Sequence, residues 1–521
     1  MLYPTELRDH ELKIAASIPF VQHPLDLVAG NGSPRHMKRR FRHIFRVTHA
    51  LALMLPLAAC GGITLMSEAD EAKIGAQQHP NIIREYGGVY ENVKLTAYVE
   101  AVMARIGQSS DRPDIAYRIT ILDTPMVNAF ALPGGYTYVT RGLLALADNE
   151  AELAGVIGHE IAHVTARHGA RRHTAAVGTA VVAGVLGVVL NARTGIDTRM
   201  TGDLINVGGS AILAGYSRDN EYEADNLGIK AMSRAGYEPQ AQAELLQSLA
   251  AFSTYQSGGK ETKASWFSTH PNNQARIAKA REKADAAARN MTELGQIGTD
   301  RHLQMIDGMV FGDSARHGIV RGQRFEHSAL ALRFDVPRGF ALKNGMRRVT
   351  ATNANKVQII FDIDARIANE TPEAYMRSTW AAGQKLSGFQ NLSIDGKAAA
   401  LGIMKTQNGS AVLLAIDGGP KKIMRFGVLA PRGQDSAAEA AMASLRRKID
   451  FLTQPQAAAI RPYRLRIVTV KEGESVTSLA RKMRFDPADG NMDKLGLFRV
   501  LNGLGENDRL AAGSRVKVIT D

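Results

Sequence analysis

The stretch Gly155-Val156-Ile157-Gly158-His159-Glu160-Ile161-Ala162-His163-Val164 constrains this chain more than any other. It reads as a helix, with Asp148 or Asn149 as its N-cap. Histidines four apart stand one above the other on a helical face, so both imidazoles can reach one metal ion. The Glu beside the first can then act on water at that metal. The pattern outlines a zinc hydrolase site. The competing account is a buried helix with incidental polar groups, but two His and a Glu among Val, Ile and Ala would need partners to offset their desolvation. A third histidine at the metzincin spacing is absent, because the residues three and six beyond His163 are Ala166 and Gly169. His168, five beyond, is expected to face elsewhere, at the surface.

The third ligand is sought downstream, in Tyr216-Ser217-Arg218-Asp219-Asn220-Glu221-Tyr222-Glu223-Ala224-Asp225. On a helix, Glu221 and Asp225 share a face, where like charges repel unless a cation lies near them. A metal supplies that charge. Glu221 can complete the ligand set and Asp225 can accept the free ring N–H of a ligand His; the alternative is a solvated acidic face.

Upstream, Asn128-Ala129-Phe130-Ala131-Leu132-Pro133-Gly134-Gly135-Tyr136-Thr137-Tyr138-Val139-Thr140 reads as a hairpin, two strand-like runs about a Pro-Gly-Gly turn. An edge strand beside a metal can pair with an extended substrate backbone, and Asn128, Ala129, Phe130 and Ala131 are the candidates for that role. The remaining pattern around the motif is helical at Ser67 to about Gln78 and at Asn92 to Ile106, with a strand at Ala116 to Leu122.

The N-terminus carries a different signal. Lys38-Arg39-Arg40-Phe41-Arg42 is followed by the apolar run Ala50 to Leu57 and then by Ala58-Ala59-Cys60-Gly61. A basic region, a short apolar region and small residues before a cleavage site make a secretory signal peptide. Leu57-Ala58-Ala59-Cys60 resembles a bacterial lipobox, which implies acylation of Cys60 and attachment to a membrane without a spanning helix. Residues 1–36 have no targeting character, and Met37 makes the better start. By resemblance to Gram-negative sorting, Gly61 after the Cys points to the outer membrane, facing the periplasm. Cys60 is the one Cys, so no disulfide can form within the chain.

With 521 residues and 45% hydrophobic content there is room for about two to four domains. The net charge of +13 favours anionic neighbours such as phospholipid or cell-wall polymer, and no Arg/aromatic module argues for nucleic acid. Ala175 to Ala192 is nearly continuous Ala, Val, Gly and Leu. It touches the lower length limit for a membrane span but lacks an aromatic belt, and a packed or membrane-dipping helix is favoured.

Four linked motifs resemble the zinc endopeptidase family of HtpX, BepA and the CAAX prenyl protease. They are His159-Glu160-x-x-His163, Ser217-Arg218-x-x-Glu221-x-x-x-Asp225, the Asn128 to Gly135 strand, and Ser268-Thr269-His270-Pro271-x-x-x-x-Arg276-Ile277. The resemblance covers about residues 67 to 285. It implies one zinc ion held by His159, His163 and Glu221, Glu160 as general base and Asp225 as support. His270 and Arg218 are candidates for an oxyanion or gating role. The periplasmic lipoprotein branch fits better than the integral-membrane branch.

The expected fold class is α+β, a mostly helical zincin-like peptidase domain with a small edge-strand sheet, followed by an α+β domain and a small βααβ domain. The expected divisions are residues 1–59 (upstream extension and signal), 60–290 (peptidase), 291–324 (linker), 325–453 (α+β) and 460–521. In the α+β domain, strands are expected at Ala329 to Phe334, Val349 to Thr352, Val357 to Ile363, Ser410 to Ile416 and Ile423 to Val428. Helices are expected at Thr371 to Ala382 and Ser436 to Ile449. No catalytic constellation is seen there. The tail from Arg464, with its Gly473-Glu474-Ser475-Val476 turn and Leu501-Asn502-Gly503, resembles a LysM module, which implies contact with peptidoglycan. The leading expectation is a lipid-anchored zinc endopeptidase acting on misfolded or unassembled envelope proteins. The alternatives are a wall-binding lipoprotein with a binding or chaperone role and, more weakly, a cell-wall hydrolase.

Overall fold

A computed structural model of the chain describes residue 64 and residues 66–175, 215–258, 266–271, 274–486 and 493–521. The signal segment with Cys60 lies outside these residues, as does nearly all of the apolar stretch from Ala175 to Ala192.

Polar caps start most of the helices that build the site. Helix α1 (Glu68–Glu85) begins at a capping box in which Ser67 and Asp70 satisfy each other's backbone N–H, and it runs past the expected end near Gln78 to the Gly87-Gly88 turn, both glycines at positive φ. Asn92 caps α2 (Val93–Ser109). Strands β1 (Arg118–Leu122), β2 (Ala129–Leu132) and β3 (Tyr136–Thr140) form a three-stranded sheet in the order β1-β3-β2, with β1 parallel and β2 antiparallel to β3. The hairpin turns at Gly134 and Gly135, at φ of 80° and 85°, and leaves β2 at the edge.

Helix α3 (Arg141–Leu146) leads into α4 (Glu150–Thr165), the helix of the His-Glu-x-x-His motif, with Asn149 as N-cap. Residues Glu150 to Val164 are all buried. Around α4 pack α2, α5 (Arg218–Arg234), α6 (Ala241–Gln256) and strand β2. Two glycines set the closest approach of α4 and α5: a Cβ placed on Gly228 would lie 2.9 Å from the His159 N and 3.0 Å from the Gly158 carbonyl carbon. Helix α7 (Gln274–Ala288) lies against α5 and α6. The stretch expected as a linker is packed, because Leu303 and Ile306 of α8 (Thr299–Ile306), with Met309, join the hydrophobic core of the peptidase helices.

The second domain pairs a four-stranded antiparallel sheet, β14-β6-β5-β4, with a seven-stranded one, β10-β11-β12-β13-β9-β8-β7. Here β4 is Ile319–Arg321, β5 Arg324–His327, β6 Leu332–Asp335, β7 Phe340–Asn344, β8 Val349–Asn353 and β9 Gln358–Ala365. Strands β10 (Leu386–Ile394), β11 (Lys397–Thr406), β12 (Gly409–Asp417), β13 (Lys422–Pro431) and β14 (Ile449–Phe451) complete them. The core is built on Phe325, Phe334, Phe361 and Phe426, whose rings touch one another. The expected helix at Thr371 to Ala382 is a single α-turn, α9 (Pro372–Tyr375), running into a π-turn over Met376–Trp380. Helix α10 (Asp435–Arg446) matches the other expected helix, ending three residues earlier.

After α11 (Gln454–Ala458), the tail shows the strand–helix–helix–strand order read from its sequence: β15 (Arg464–Thr469), α12 (Val476–Lys482), α13 (Lys494–Leu501) and β16 (Arg515–Thr520), with β15 and β16 antiparallel. Leu465 belongs to the peptidase core, and its backbone N–H and C=O bond to Met309 and Gly308. Lys517 is buried against the peptidase domain; its ammonium donates to the carbonyl oxygens of Ala145, Leu146 and Ala147 at 3.0–3.1 Å. Among the described residues no helix is long and apolar enough to cross a membrane.

Candidate metal centre

Helices α4 and α5 and the loop before α7 meet at one point. His159, His163, Glu221 and His270, all buried, each offer a donor atom there, and the four donors lie within 4.8 Å of one another. The Nε2 atoms of His159 and His163 face each other at 3.0 Å, and Glu221 Oε1 is 3.5 Å from His163 Nε2. His270 Nδ1 is 3.1 Å from Glu221 Oε1 and 3.3 Å from His159 Nε2.

The opposite ring nitrogen of His159 is 2.9 Å from Asp225 Oδ1. Asp225 in turn accepts two hydrogen bonds from Arg276, at 2.6 and 2.8 Å, and one from Gln242 at 3.2 Å. Arg276 also places Nη1 2.6 Å from Glu221 Oε2. Burial works against the Asp225 charge, but Arg276 and His159 outweigh it and hold its pKa at about 2. Burial opposes the Glu221 carboxylate too, yet the histidines around it keep it well below the ordinary range. For His159, burial disfavours the cation while hydrogen bonds to Asp225 and Glu221 prevail, raising its pKa to about 9. His163 goes the other way, lowered by burial and then by the neighbouring His159.

These donors fit a cation. The donor atoms of His159, His163, Glu221 and His270 lie within 4.8 Å of one another, with the two Nε2 atoms of His159 and His163 3.0 Å apart, so a single ion can be reached from all four. Three imidazoles and one carboxylate are the donor types zinc prefers. Glu160 adds a second sign: both its carboxylate oxygens are buried with no hydrogen-bond partner among the described residues, and burial raises its pKa. The Nε2 of His270 lies 3.5 Å from its Oε1.

The sequence-derived residues divide clearly. His159, Glu160, His163, Glu221 and Asp225 come together. His270 joins them as a fourth donor, held by Trp266, which stacks on it with centroids 4.5 Å apart. Arg218 is exposed on the first turn of α5 and makes none of the contacts described for the cluster. Strand β2 runs beside α4, and Ala131, Leu132 and Pro133 line one small cavity with His163 and Tyr216. That cavity, about 10 Å³, is filled on one side by Tyr216, whose ring lies on that of His163 at 3.8 Å.

His168 corrects the expectation of a surface histidine. It is 1% exposed, with Nδ1 2.8 Å from His163 Nδ1. The expectation assumed that α4 continues; instead Arg167 turns left-handed, at φ 56°, and folds the next residue back under His163. Tyr216, Trp266 and Gln242 also escaped the reading, since nothing in their local pattern marks them.

The sequence description "Peptidase family M48" matches residues 93–284. The chain is 32% identical over 194 residues to the beta-barrel assembly-enhancing protease of Yersinia pestis, covering 37% of this chain and 39% of that protein. Its counterpart in Escherichia coli (strain K12) is also 32% identical, over 196 residues, with the same shares of 37% and 39%. The mitochondrial metalloendopeptidase OMA1 of Schizosaccharomyces pombe is 32% identical over 217 residues, covering 41% of this chain and 60% of that one. The chain thus spans between 39% and 60% of the length of these relatives. The matched residues contain every member of the cluster, and residues 93–284 are accordingly a metalloendopeptidase domain of peptidase family M48.

Proposed function

We propose that the protein is a zinc-dependent endopeptidase of the bacterial cell envelope that hydrolyses misfolded or unassembled envelope proteins. The convergence of His159, His163 and Glu221 beside the unpartnered carboxylate of Glu160 carries this reading. Zinc held by these three residues would supply Lewis acidity, promoting ionisation of a water and polarising the scissile carbonyl. Glu160 takes the proton from the attacking water and delivers it to the leaving amine. Asp225, fixed by Arg276, holds the His159 ring so that Nε2 faces the metal. Strand β2 (Ala129–Leu132), with Asn128 just before it, presents its edge to an extended substrate backbone.

His270 acts as the gate in this scheme. With zinc held by His159, His163 and Glu221, a catalytic site would keep one position open, and His270 would offer a further donor there. Substrate entry therefore requires the Trp266 to Pro271 loop to withdraw. Acylated Cys60 anchors the chain on the periplasmic side of the outer membrane, and residues 464–521 contact peptidoglycan. The beta-barrel assembly-enhancing proteases, by their name, support a substrate among envelope proteins.

The small volume beside His163, about 10 Å³, favours a second reading, a wall-associated lipoprotein acting mainly as a binding or chaperone-like factor. Unfolded casein separates the two. Cleavage that is lost with chelator and in Glu160→Gln, while the variant still binds zinc, supports the peptidase. Cleavage that survives either treatment sinks the zinc mechanism. Retention of the full chain on purified sacculi tests the wall contact, and its absence removes it.

A further inference from the structure

Helix α5 carries carboxylates at 221, 223 and 225, and two have been accounted for: Glu221 in the cluster and Asp225 on His159. Glu223 is the third. Its Oε2 lies 3.0 Å from Nε2 of the buried His168, whose Nδ1 lies 2.8 Å from Nδ1 of His163. Arg171 closes the outer end, 3.2 Å from the same Glu223 oxygen. We propose that His168 and Glu223 are positioning residues for the metal site, a second carboxylate–histidine support that orients His163 as Asp225 orients His159. The inference rests on the zinc reading above.

The hydrogen-bond inventory assigns each proton. A carboxylate accepts, so Glu223 requires N–H at Nε2 of His168. A neutral His168 then has a lone pair at Nδ1, which requires N–H at Nδ1 of His163. That leaves the lone pair of His163 at Nε2, the atom aimed at the cluster. The reverse tautomer of His168 would set a lone pair against the carboxylate 3.0 Å away and would move the N–H of His163 to Nε2, the atom aimed at the cluster. Glu223, at the protein surface with 42% of its side chain exposed, thereby dictates through one buried ring which nitrogen of His163 can ligate.

The fold invests in this placement. Arg167 is a non-glycine residue at φ 56°, a conformation that carries a cost. Its guanidinium is tied down by Glu71 Oε1 at 3.0 Å and by the Met66 carbonyl at 2.5 Å, both from the start of α1. The turn that breaks α4 is thus pinned from outside, and its product is His168 under His163.

The test is zinc affinity of the full chain, measured by competition with a chromophoric chelator, together with the visible spectrum of the cobalt-loaded protein. Expected are losses of about 10–100-fold in affinity for His168→Leu and for Glu223→Leu. His168→Asn should recover most of the loss, because Asn Oδ1 stands near the position of the ring Nδ1 and accepts the same proton. The double variant His168→Leu/Glu223→Leu should be no worse than either single one, since the two act in series. Glu223 is half exposed, so the Glu223 variants also serve where His168 variants fail to fold. Wild-type affinity in both Leu variants, equal losses for His168→Asn and His168→Leu, or additive losses in the double variant would each overturn the proposal. If the wild-type chain binds no zinc, or His159→Ala leaves binding intact, the peptidase reading itself falls and the support falls with it.

Discussion

Lys517, on the last strand of the chain, places its ammonium 2.8 Å from the carboxylate of Asp148, two residues ahead of the helix that carries His159 and His163. With the carbonyl oxygens of Ala145 and Leu146 of α3 and of its C-cap Ala147 around it as well, this one side chain caps a helix C-terminus and joins the tail to the peptidase domain. Removing one partner of a buried charge pair is costly because the other groups keep their desolvation without compensation. Lys517→Met is expected to destabilise the chain by about 2–4 kcal/mol, read as a shift of the denaturant midpoint. A shift indistinguishable from zero would show that the contact carries no stability.

Next to this pair, Glu152 accepts hydrogen bonds from Asp148 N and Asn149 Nδ2, and burial, then the Asp148 charge, push its pKa up to about 8 from 4.5. Between those values the folded chain holds a proton that the unfolded chain releases. Stability from this group is therefore full below about pH 4.5 and declines as pH rises toward 8. Thermal unfolding of Glu152→Gln should show a smaller drop between about pH 5 and about pH 8 than the parent chain does. An equal or larger drop would contradict it.

Arg276 neutralises Asp225 and Glu221 together from a buried position. Arg276→Gln should lower the stability of the metal-free chain by about 3–5 kcal/mol. Because zinc supplies part of the missing charge, added zinc should raise the melting temperature of this variant more than that of the parent. Equal zinc shifts would show that the two cations do not substitute for one another.

The contact of α4 with α5 admits no side chain at Gly228, where a Cβ would strike backbone atoms of Gly158 and His159. Gly228→Ala should cost about 1–3 kcal/mol and weaken zinc binding by moving Glu221 away from the histidines. Gly427→Ala in the second domain, where a new Cβ would meet Trp380 Cζ2 at 3.9 Å, is the control and should be near neutral.

What the sequence made legible was local. The two histidines and Glu160 share one helical turn, and Glu221 and Asp225 share another, so periodicity and chemistry agreed within a few residues. The tail was readable because Gly473 and Asn502-Gly503 punctuate it. Strands β10 and β11 were missed because β10 is exposed along most of both faces and shows no alternation. His168 was misplaced because a left-handed Arg carries no turn signature of the kind Gly or Asn gives. The docking of Lys517, more than 350 residues from its partners, is encoded in no window of the chain.

Among the described residues, strand β2 bonds to β3 on one side only. A partner that pairs along the other side must offer several consecutive peptide groups in extended form, which a folded domain keeps engaged in its own helices and sheets. On the proposed function, this rim would sort proteins by conformational state before any side chain is read: a polypeptide would become a target when it loses its structure and cease to be one when it regains it.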